Sequence, residues 1–384
     1  MRIIIDASVL CLRRYTKGGQ QRYTREVLRH LDTVGAEDSY VLWFNFINPA
    51  NLPLYEQACR ELSETKLRHR TVLCRIPPQV LEPLRVPVEL FTGAADLFHA
   101  PTAAAYYTWR ARHVVTIHDL AYFDHPECFD FPDIERSKRH VKWLANRAAM
   151  VLTVSEHARE TIIERLGVSP DRVRVTYHGV SRIFYEEGSG VPFEALQTRF
   201  GIRKPYILFV STIQPNKNVV RLLEAFDLLW RAELKGWQLV LAGQRGWLTE
   251  SIFAKADALA FGDDLVVTGF VEEEALPTLY RHAGVFVLPS LVEGFGIPVI
   301  EAMACGAPVV VSKSGALPEI AGDAGELVDP YSVEDIARGI LAVATDPARR
   351  DRLIARGKAR AEQFRWEQTA RETVAAYRDA AGMR

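Results

Sequence analysis

The chain has 384 residues, with 47 Lys and Arg against 48 Asp and Glu, and a formal net charge of −1. This balance argues against a nucleic-acid-binding protein, and a hydrophobic content of 48% is normal for a globular chain with a full core. The length predicts two domains, and five scattered cysteines without a CxxC pair indicate a reducing compartment and no structural zinc. No apolar run reaches the roughly 18 residues of a membrane span, and the start does not read as a signal peptide, so we expect a cytoplasmic protein.

The first half of the chain alternates short β-branched runs with amphipathic stretches. This alternation is typical of a largely parallel sheet with helices on its faces. The predicted strands are 2–8, 40–45, 96–101, 113–119, 149–155 and 173–180. A loop that enters a helix is predicted at 18–31, and further helices are predicted at 131–148 and 155–167.

Residues 181–203 lose this regularity, and the alternation then starts again. The sequence therefore predicts an α/β protein of two doubly wound, Rossmann-like domains, 1–185 and 186–365, with a C-terminal helix in 366–384 that packs back on the first domain. The second half has predicted strands at 206–212, 237–243, 265–270, 284–290 and 308–312, and predicted helices at 218–230, 298–306, 332–346, 348–364 and 366–381.

Two loops of the first domain carry unusual residues. Ligands of an open parallel sheet bind outside the carboxyl ends of its strands, so loops that follow strands are the places to look. Gly18 and Gly19 precede the first helix, where free N–H groups could hold a phosphate, although an ordinary turn explains them equally well. His118 and Asp119 end a strand, and an imidazole there can bind a sugar hydroxyl or exchange a proton, or serve only the core.

In the second domain, Lys217 and Asn218 stand where the helix after strand 206–212 begins. Lysine is not favoured at a helix start by the helix dipole, so a functional reason is preferred over a solvated surface lysine. An ammonium group beside free helix N–H groups makes a cradle for a diphosphate.

The stretch `LVEGFGIPVIEAMACG`, residues 291–306, places two glutamates eight residues apart. Glu293 lies in a glycine-rich loop after a strand, and Glu301 lies one turn into a helix that Pro298 starts. Paired carboxylates that accept hydrogen bonds from vicinal diols are suited to sugar recognition. A single first-turn glutamate would be explained by the helix dipole alone, but the pair with its glycines indicates a binding site.

The N-terminal part of the chain is basic, with 15 Lys and Arg against 12 Asp and Glu in residues 1–120 and a locally basic run at 12–30. Two readings stay open. The run is either a solvated helix face or a surface for an anionic ligand or a lipid headgroup.

The stretch `PSLVEGFGIPVIEAMACGAPVV` resembles the donor-site signature of retaining, nucleotide-sugar-dependent glycosyltransferases of family 4, which have the two-domain GT-B fold. The resemblance covers nearly the whole chain. The segments `GGQQRYTREVL`, `VVTIHDLAYFDHPECF`, `STIQPNKNVVRLLEAF` and `GALPEIAGDAGELVDP` follow in the order that the family has. The long signature is highly specific, and the other segments are moderately so.

The resemblance implies roles for single residues of the second domain. Glu293 would be catalytic, binding hydroxyls of the donor sugar or supporting developing positive charge, and Glu301 would bind the ribose diol. Lys217 would neutralise the diphosphate. The backbone of Gly294, Phe295 and Gly296 would hold the sugar, and that of Phe270 and Val271 would meet the base.

In the first domain, the resemblance implies that His118 contacts the transferring sugar and that Gly19 contacts the diphosphate. Enzymes of this kind need no metal or other cofactor, and the chain has no Asp-x-Asp, which agrees with that. One departure concerns the arginine that the family places near the lysine. Those positions here are Thr212 and Asn216, which leaves Arg221 or Arg245 as candidates for a second cation.

Within the family, the segments `PNKN` and `HDLAY` look most like enzymes that transfer mannose from GDP-mannose during bacterial surface polysaccharide assembly. The implied acceptor is a lipid-linked sugar or an oligosaccharide, with possible peripheral contact at the membrane surface. A UDP- or dTDP-sugar transferase, an epimerase or phosphorylase of the same fold, and a non-catalytic carbohydrate-binding relative stay open. A nicotinamide dehydrogenase is disfavoured because no GxGxxG follows the first strand.

Overall fold

A computed structural model describes residues 1–13, 18–81, 83–104, 106–202 and 205–382, with the side chains of Pro78 and Gln79 excepted. Contacts divide the chain into two compact units. The first contains Met1–Leu120, Glu135–Gly179 and Trp366–Arg384, and the second contains Ala121–Ile134 and Val180–Arg365. The structure therefore places the boundary at 179/180, where the sequence predicts 185/186, and it assigns residues 121–134 to the second unit and not to the first.

The described strands and helices follow one another in regular α/β alternation. The strands are β1 Arg2–Asp6, β2 Ser39–Asn45, β3 His69–Cys74, β4 Leu97–Ala100, β5 Arg112–Thr116, β6 Met150–Thr153, β7 Val173–Val175, β8 Tyr206–Val210, β9 Gln238–Ala242, β10 Leu265–Gly269, β11 Val285–Leu288, β12 Val309–Ser312 and β13 Gly325–Val328. The helices are α1 Gly19–Val34, α2 Leu52–Ser63, α3 Pro78–Leu81, α4 Glu89–Thr92, α5 Ala121–Asp124, α6 Ile134–Arg147, α7 Glu156–Leu166, α8 Phe193–Phe200, α9 Val219–Arg231, α10 Glu250–Leu259, α11 Leu276–His282, α12 Ile297–Ala304, α13 Leu317–Ala321, α14 Val333–Thr345, α15 Pro347–Ala361 and α16 Trp366–Ala381.

The first unit is built on a seven-stranded sheet in the order β3-β2-β1-β4-β5-β6-β7, and its paired strands run parallel. The central strands are short apolar runs, such as Ile3–Ile5 in β1, that are buried on both faces. Continuous burial of this kind is what helices on both faces of a parallel sheet require.

The second unit has a six-stranded sheet in the order β10-β9-β8-β11-β12-β13, again parallel throughout. The chain moves outward from β8 through β9 to β10, and then returns to place β11 on the other side of β8. Strands β8 and β11 are therefore neighbours. The chain continues from β8 towards β9 on one side of the sheet and from β11 towards β12 on the other side. A doubly wound sheet opens a crevice for ligands at such a switch point.

The last helix, α16, belongs to the first unit and is held there by aromatic side chains. Trp366 and Tyr377 are at most 1% exposed. The Tyr377 hydroxyl lies 2.6 Å from His99 Nδ1, and Thr369 Oγ1 donates to the Tyr177 carbonyl over 2.5 Å. Burial lowers the pKa of His99 to about 3, so this imidazole is neutral in the folded protein.

Several elements are absent from the sequence prediction, and for β3 and α8 the physical reason is clear. Strand β3 is an edge strand whose `HRTVLC` run is only partly buried, so its hydrophobic pattern is weak. Helix α8 lies in the stretch 181–203 that shows no clear periodicity in the sequence. Across the described ranges, no helix combines the length and the apolar character needed to cross a membrane.

Candidate functional site

The two loops that matter most in the second unit leave the carboxyl ends of adjacent strands. Strand β8 ends at Val210 and leads to a short 3-10 turn, Pro215–Lys217, directly before α9. Strand β11 ends at Leu288 and leads through the glycine-rich loop to α12. Because β8 and β11 are paired and parallel, both loops open at the same edge of the sheet, at its switch point.

Lys217 and Glu293 meet between these loops in an ion pair. Lys217 Nζ donates to Glu293 Oε1 over 2.7 Å and to Oε2 over 2.8 Å. The two side chains are only 13% and 12% exposed, so the charges are partly desolvated. Ser290 Oγ donates a further hydrogen bond of 2.7 Å to Glu293 Oε1. The structure thus brings together one cation and one carboxylate that the sequence assigns to the same site.

The loop of Lys217 is tied to the loop of Glu293 by Asn218 and Asn216. Asn218 adopts the left-handed conformation, with φ of 59°, and its Nδ2 donates to the carbonyls of Pro289 (3.0 Å) and Pro330 (2.6 Å). The carbonyl of Asn216 accepts a hydrogen bond of 2.8 Å from the Leu291 amide. Asparagine tolerates this backbone conformation better than most residues, so it can close the turn and bridge the loops at once.

The two candidates for a second cation are both engaged by protein groups. Arg221 Nη1 donates to Asn218 Oδ1 over 3.0 Å, and its guanidinium lies 5.6 Å from the centroid of the Tyr331 ring. The Arg245 guanidinium lies over the Phe253 ring, 3.6 Å from its centroid. Lys217 is therefore the cation that the structure places against Glu293.

The glycines of the loop fit close backbone approaches. Gly296 has φ of 107° and is the N-cap of α12, and a Cβ there would lie 2.7 Å from Leu317 Cδ2. Phe295 is 4% exposed and packs edge-on against Phe364, with ring centroids 5.7 Å apart. Gly294 is buried beside it. The side chain of Phe295 thus anchors the loop in the core.

A second glycine-containing turn supports Glu293 from behind. A Cβ on Gly315 would lie 2.7 Å from both the nitrogen and the oxygen of Glu293, and the Ala316 amide donates to that oxygen over 3.0 Å. Ser314 Oγ donates to the Leu291 carbonyl over 2.5 Å. Sequence reasoning assigned no role to Ser290, Ser314 or Gly315. The `SGALPE` turn, residues 314–319, is the sequence signal for Ser314 and Gly315, and the `LPS` end of the 284–290 strand run is the signal for Ser290.

Glu301 lies inside the second unit and not at its surface. It is 1% exposed, and its Oε2 accepts a hydrogen bond of 3.1 Å from the Tyr280 hydroxyl. Buried carboxylates are stable only with such partners. The structure brings Glu301 to the first half of α12, one turn beyond Gly296. Its predicted contact with a ribose diol stays a prediction.

Phe270 and Val271 directly follow β10, whose last residue is Gly269. Phe270 is partly exposed and Val271 is buried. Strand β10 is separated from β8 by β9, which corresponds to roughly 10 Å across the sheet at the usual strand spacing. The predicted contact of the Phe270 and Val271 backbone with a base stays a prediction.

In the first unit, His118 follows β5 and is packed among aromatic rings. Its Nε2 lies 3.0 Å from the Pro101 carbonyl, so Nε2 carries the proton and donates. The ring stacks on His178 (5.7 Å between centroids) and meets Tyr23 edge-on (5.0 Å). Burial lowers the pKa of His118, and the hydrogen bond to Pro101 offsets part of that effect. The imidazole is therefore neutral near pH 7, which favours hydrogen bonding over general-acid chemistry.

Gly19 is the first residue of α1, and Gly18 is its N-cap, with an extended backbone and no side-chain cap. Because glycine has no side chain, the N-cap residue Gly18 gives the first N–H groups of α1 no side-chain hydrogen bond. The sequence prediction of a diphosphate contact at Gly19 keeps its physical basis, because an uncapped helix start attracts anions.

Two doubly wound parallel domains with polar loops at the carboxyl ends of their strands define the class, a GT-B glycosyltransferase fold. The family model of glycosyltransferase family 4 matches residues 17–182, and that of glycosyl transferases group 1 matches residues 194–360. The chain belongs to this glycosyltransferase family, as its resemblance in sequence predicted.

One relative of similar length, one longer relative and one solved structure support this assignment. The chain is 30% identical over 371 residues to O-antigen chain mannosyltransferase B of Escherichia coli, covering 95% of this chain and 97% of that protein. It is also 30% identical over 288 residues to the serotype-specific mannosyltransferase WbdA of Escherichia coli, where it spans only 35% of the longer protein. The solved structure of sucrose-phosphate synthase from Thermosynechococcus elongatus superposes with a TM-score of 0.76 at 20% identity, covering 99% of this chain and 98% of that one.

Proposed function

We propose that this glycosyltransferase moves mannose from GDP-mannose, with retention of anomeric configuration, onto a lipid-linked or oligosaccharide acceptor in polysaccharide or glycolipid synthesis. The choice of mannose is supported by the similarity of this chain, over 95% of the chain's own length, to O-antigen chain mannosyltransferase B. The observation that carries the donor site is the Lys217–Glu293 pair at the switch point of the second sheet. A cytoplasmic location and independence of metal ions belong to the same proposal.

The first step of the proposed cycle is an exchange of partners at Lys217. In the free protein its ammonium is held by Glu293 through two short hydrogen bonds. A diphosphate offers the ammonium a stronger and better-oriented acceptor, and the uncapped amides at the start of α9 and α12 add favourable dipoles. The Glu293 carboxylate is then released from Lys217 and becomes available to hydroxyls of the sugar.

In the second step the bond between the anomeric carbon and the diphosphate oxygen breaks, and a bond to the acceptor oxygen forms on the same face. The hydroxyl proton of the acceptor leaves with the diphosphate, so the step balances without an added oxidant. Stabilising the departing charge is the main task of the protein groups, and Lys217 does this most directly. Glu293 supports positive charge that develops on the sugar ring.

The identity of the donor is tested by titrating the protein with GDP, UDP, ADP and dTDP while thermal stability is monitored. A nucleotide present at 100 times its dissociation constant stabilises the folded state by about 2.7 kcal/mol. We expect GDP to give the largest stabilisation. A larger effect of UDP or dTDP would replace GDP-mannose by the corresponding donor and leave the glycosyltransferase assignment intact.

The reaction is tested by transfer of labelled mannose to a soluble mannoside, with the anomeric proton of the product observed by NMR. We expect an α-linked product from the α-linked donor and an unchanged rate in EDTA. Donor binding without turnover would favour a non-catalytic relative, and a β-linked product would contradict retention.

The role of Lys217 is tested by Lys217→Met, which keeps an unbranched side chain of similar length and removes the charge. The loss of one charge-assisted hydrogen bond corresponds to about 1.5–3 kcal/mol, or roughly 10- to 150-fold weaker GDP binding. Lys235→Met serves as the matched control, because that lysine is exposed just before β9, at the opposite edge of the parallel sheet. Equal GDP binding by wild type and Lys217→Met would remove Lys217 from the diphosphate site.

A further inference from the structure

The segment that leads from the β5 loop to α6 belongs to the second unit and is rich in aromatic and acidic residues. Its sequence, `AYFDHPECFDFPDI`, residues 121–134, contains four aromatic residues and four Asp or Glu, and no Lys or Arg. None of these residues belongs to the donor site described above. Exposed apolar side chains rimmed by polar groups are typical of an interaction surface, so the segment has a use beyond folding.

Three aromatic rings follow one another from this segment to the loop after β9. The ring centroids of Phe131 and Phe129 are 5.7 Å apart, with 29° between the ring planes, and those of Phe129 and Trp247 are 6.1 Å apart, with 36°. Tyr122 meets Phe131 edge-on, with centroids 5.4 Å apart. Phe131 is 41% exposed, and the other three rings are partly exposed. These four residues, the aromatic platform, form a surface that faces solvent in part.

Hydrogen bonds hold the platform in one conformation. The Trp247 indole N–H donates to the Cys128 carbonyl over 2.7 Å. The Cys128 amide donates to the His125 carbonyl over 3.0 Å, and the Phe129 amide donates to the Pro126 carbonyl over 3.2 Å, which closes a 3-10 turn. A ligand that binds to rings fixed in this way pays little conformational entropy for ordering them, so the platform is preorganised for binding.

Trp247 connects the platform to the carboxyl edge of the second sheet. Strands β8 and β9 are paired and parallel, so the loops that follow them open at the same edge. The Ile213 amide donates to the Gln244 carbonyl, and the Gly246 amide donates to the Ile213 carbonyl, at 2.9 Å in both cases. Ile213 lies four residues before Lys217 in the loop after β8. The platform is therefore built on a loop that is hydrogen-bonded to the donor-site loop.

The charge around the platform distinguishes between possible partners. Asp124, Glu127, Asp130 and Asp133 are all exposed. Their negative charge repels anionic lipid headgroups and the phosphates of a nucleic acid. A neutral sugar chain is not repelled, because its C–H faces can pack on aromatic rings while its hydroxyls donate to carboxylates, which only accept hydrogen bonds. Rings and acids in this combination fit an uncharged oligosaccharide.

We propose that the aromatic platform, Tyr122, Phe129, Phe131 and Trp247, binds the sugar chain of an oligosaccharide acceptor by stacking, and that Asp130 accepts hydrogen bonds from its hydroxyls. The proposal rests on the oligosaccharide acceptor of the proposed function and adds the residues that recognise it. Because the platform offers several rings, a longer chain covers more of them, and the affinity rises with chain length.

Binding is tested with the full chain in the absence of a donor, by isothermal titration with mannose and with α-mannotetraose, maltotetraose and chitotetraose. We expect the wild type to bind at least one tetrasaccharide more tightly than the monosaccharide, with an affinity that does not change with salt. Phe131→Ala should weaken this binding about 10-fold, since stacking on one aromatic ring corresponds to roughly 5- to 150-fold in affinity. Phe131→Tyr keeps the ring and should bind like the wild type.

Two further variants complete the test. Asp130→Asn should weaken the binding of the tetrasaccharide without removing a ring, and it carries the test if thermal unfolding shows that Phe131→Ala is not folded. Phe91→Ala is the matched control, because it removes a ring of similar exposure, 38%, from α4, which leads to the amino end of β4. This control should bind sugars like the wild type.

Three results would each overturn the platform proposal. They are the absence of tetrasaccharide binding by the wild type, equal binding by the wild type, Phe131→Ala and Asp130→Asn, and tighter binding of the basic peptide tetra-arginine than of any sugar. Failure of the proposed function would show instead as absent GDP binding and absent mannose transfer in the wild type, whatever the sugar titrations give. Failure of the platform proposal would show only in the sugar titrations, while the wild type still binds GDP.

Discussion

Replacing Glu293 by glutamine should strengthen the binding of GDP while it slows sugar transfer. In the free protein the Lys217 ammonium is occupied by the Glu293 carboxylate, with Nζ–Oε distances of 2.7 and 2.8 Å. A diphosphate must displace this carboxylate before it can take the ammonium. Glutamine keeps the shape of the side chain and the hydrogen bond to Ser290, but it removes the negative charge that competes for Lys217 and repels the diphosphate.

The magnitude follows from the burial of the pair. Two charges about 4 Å apart at an effective dielectric constant of about 20 attract by about 4 kcal/mol. Much of this is offset because the ammonium of the variant is better hydrated and because both groups keep 12–13% of their surface exposed. A net effect of about 1–2 kcal/mol remains, which corresponds to roughly 5- to 30-fold tighter GDP binding.

Isothermal titration calorimetry with GDP checks the tighter binding by Glu293→Gln, and initial rates of mannose transfer check the slower sugar transfer. Ser290→Ala is the matched control, because it removes one hydrogen bond to Glu293 and leaves the ion pair in place. The Lys217→Met/Glu293→Gln double variant should lose the gain. If Glu293→Gln bound GDP equally or more weakly, the exchange of partners at Lys217 would be refuted.

Two further predictions concern the first unit and the glycine loop. The pKa of His99 falls from 6.5 unfolded to about 3 folded, so its stabilising contribution is complete above pH 6.5 and is lost as the pH falls. Between about pH 7 and about pH 5 this loss of stability is about 2 kcal/mol. Asp6, whose pKa is raised to about 6, takes up a proton in the folded state over the same range and offsets about 1 kcal/mol of the loss. When the stability of His99→Gln is measured by urea unfolding, the loss of stability that His99 causes between pH 7 and pH 5 should be absent. An unchanged pH dependence of stability in this variant would contradict the low pKa of His99. Gly296→Ala should destabilise the glycine-rich loop before α12 by about 1–3 kcal/mol, because the φ of Gly296 is 107° and a Cβ there would lie 2.7 Å from Leu317 Cδ2. It should also bind GDP more weakly than Gly262→Ala, where φ is positive but a Cβ meets nothing within 4 Å; equal binding by the two variants would speak against a tight loop.

The sequence predicted the two-domain architecture because the buried strands of both parallel sheets are short β-branched runs with clear boundaries. It did not predict β3 or α8, where partial burial weakens the periodic signal. The assignment of residues 121–134 to the first domain differs from the structure, because their packing depends on long-range contacts that no local pattern encodes. Chain order alone cannot show which sheet a connecting segment will cover.

For the site, the positions of Lys217 and Glu293 in loops after strands, together with the family resemblance, predicted that they serve one ligand, and the structure brings them into contact. The support that holds them was not visible in the sequence. Asn218 bridges to Pro289 and Pro330, and Gly315 allows the close approach to the backbone of Glu293. These contacts join segments that are 71–112 residues apart for Asn218 alone. The near-complete burial of Glu301 likewise depends on Tyr280 from another helix.

Amide hydrogen exchange in the presence and absence of GDP-mannose tests most directly whether the donor binds where the β8 and β11 loops meet. We predict slower exchange in the segments around Lys217 and around Glu293–Gly296 of the wild type, and in Lys217→Met the same protection only at a donor concentration at least about 10-fold higher. Protection confined to other parts of the chain, with these two segments unchanged at saturating donor, would contradict the account.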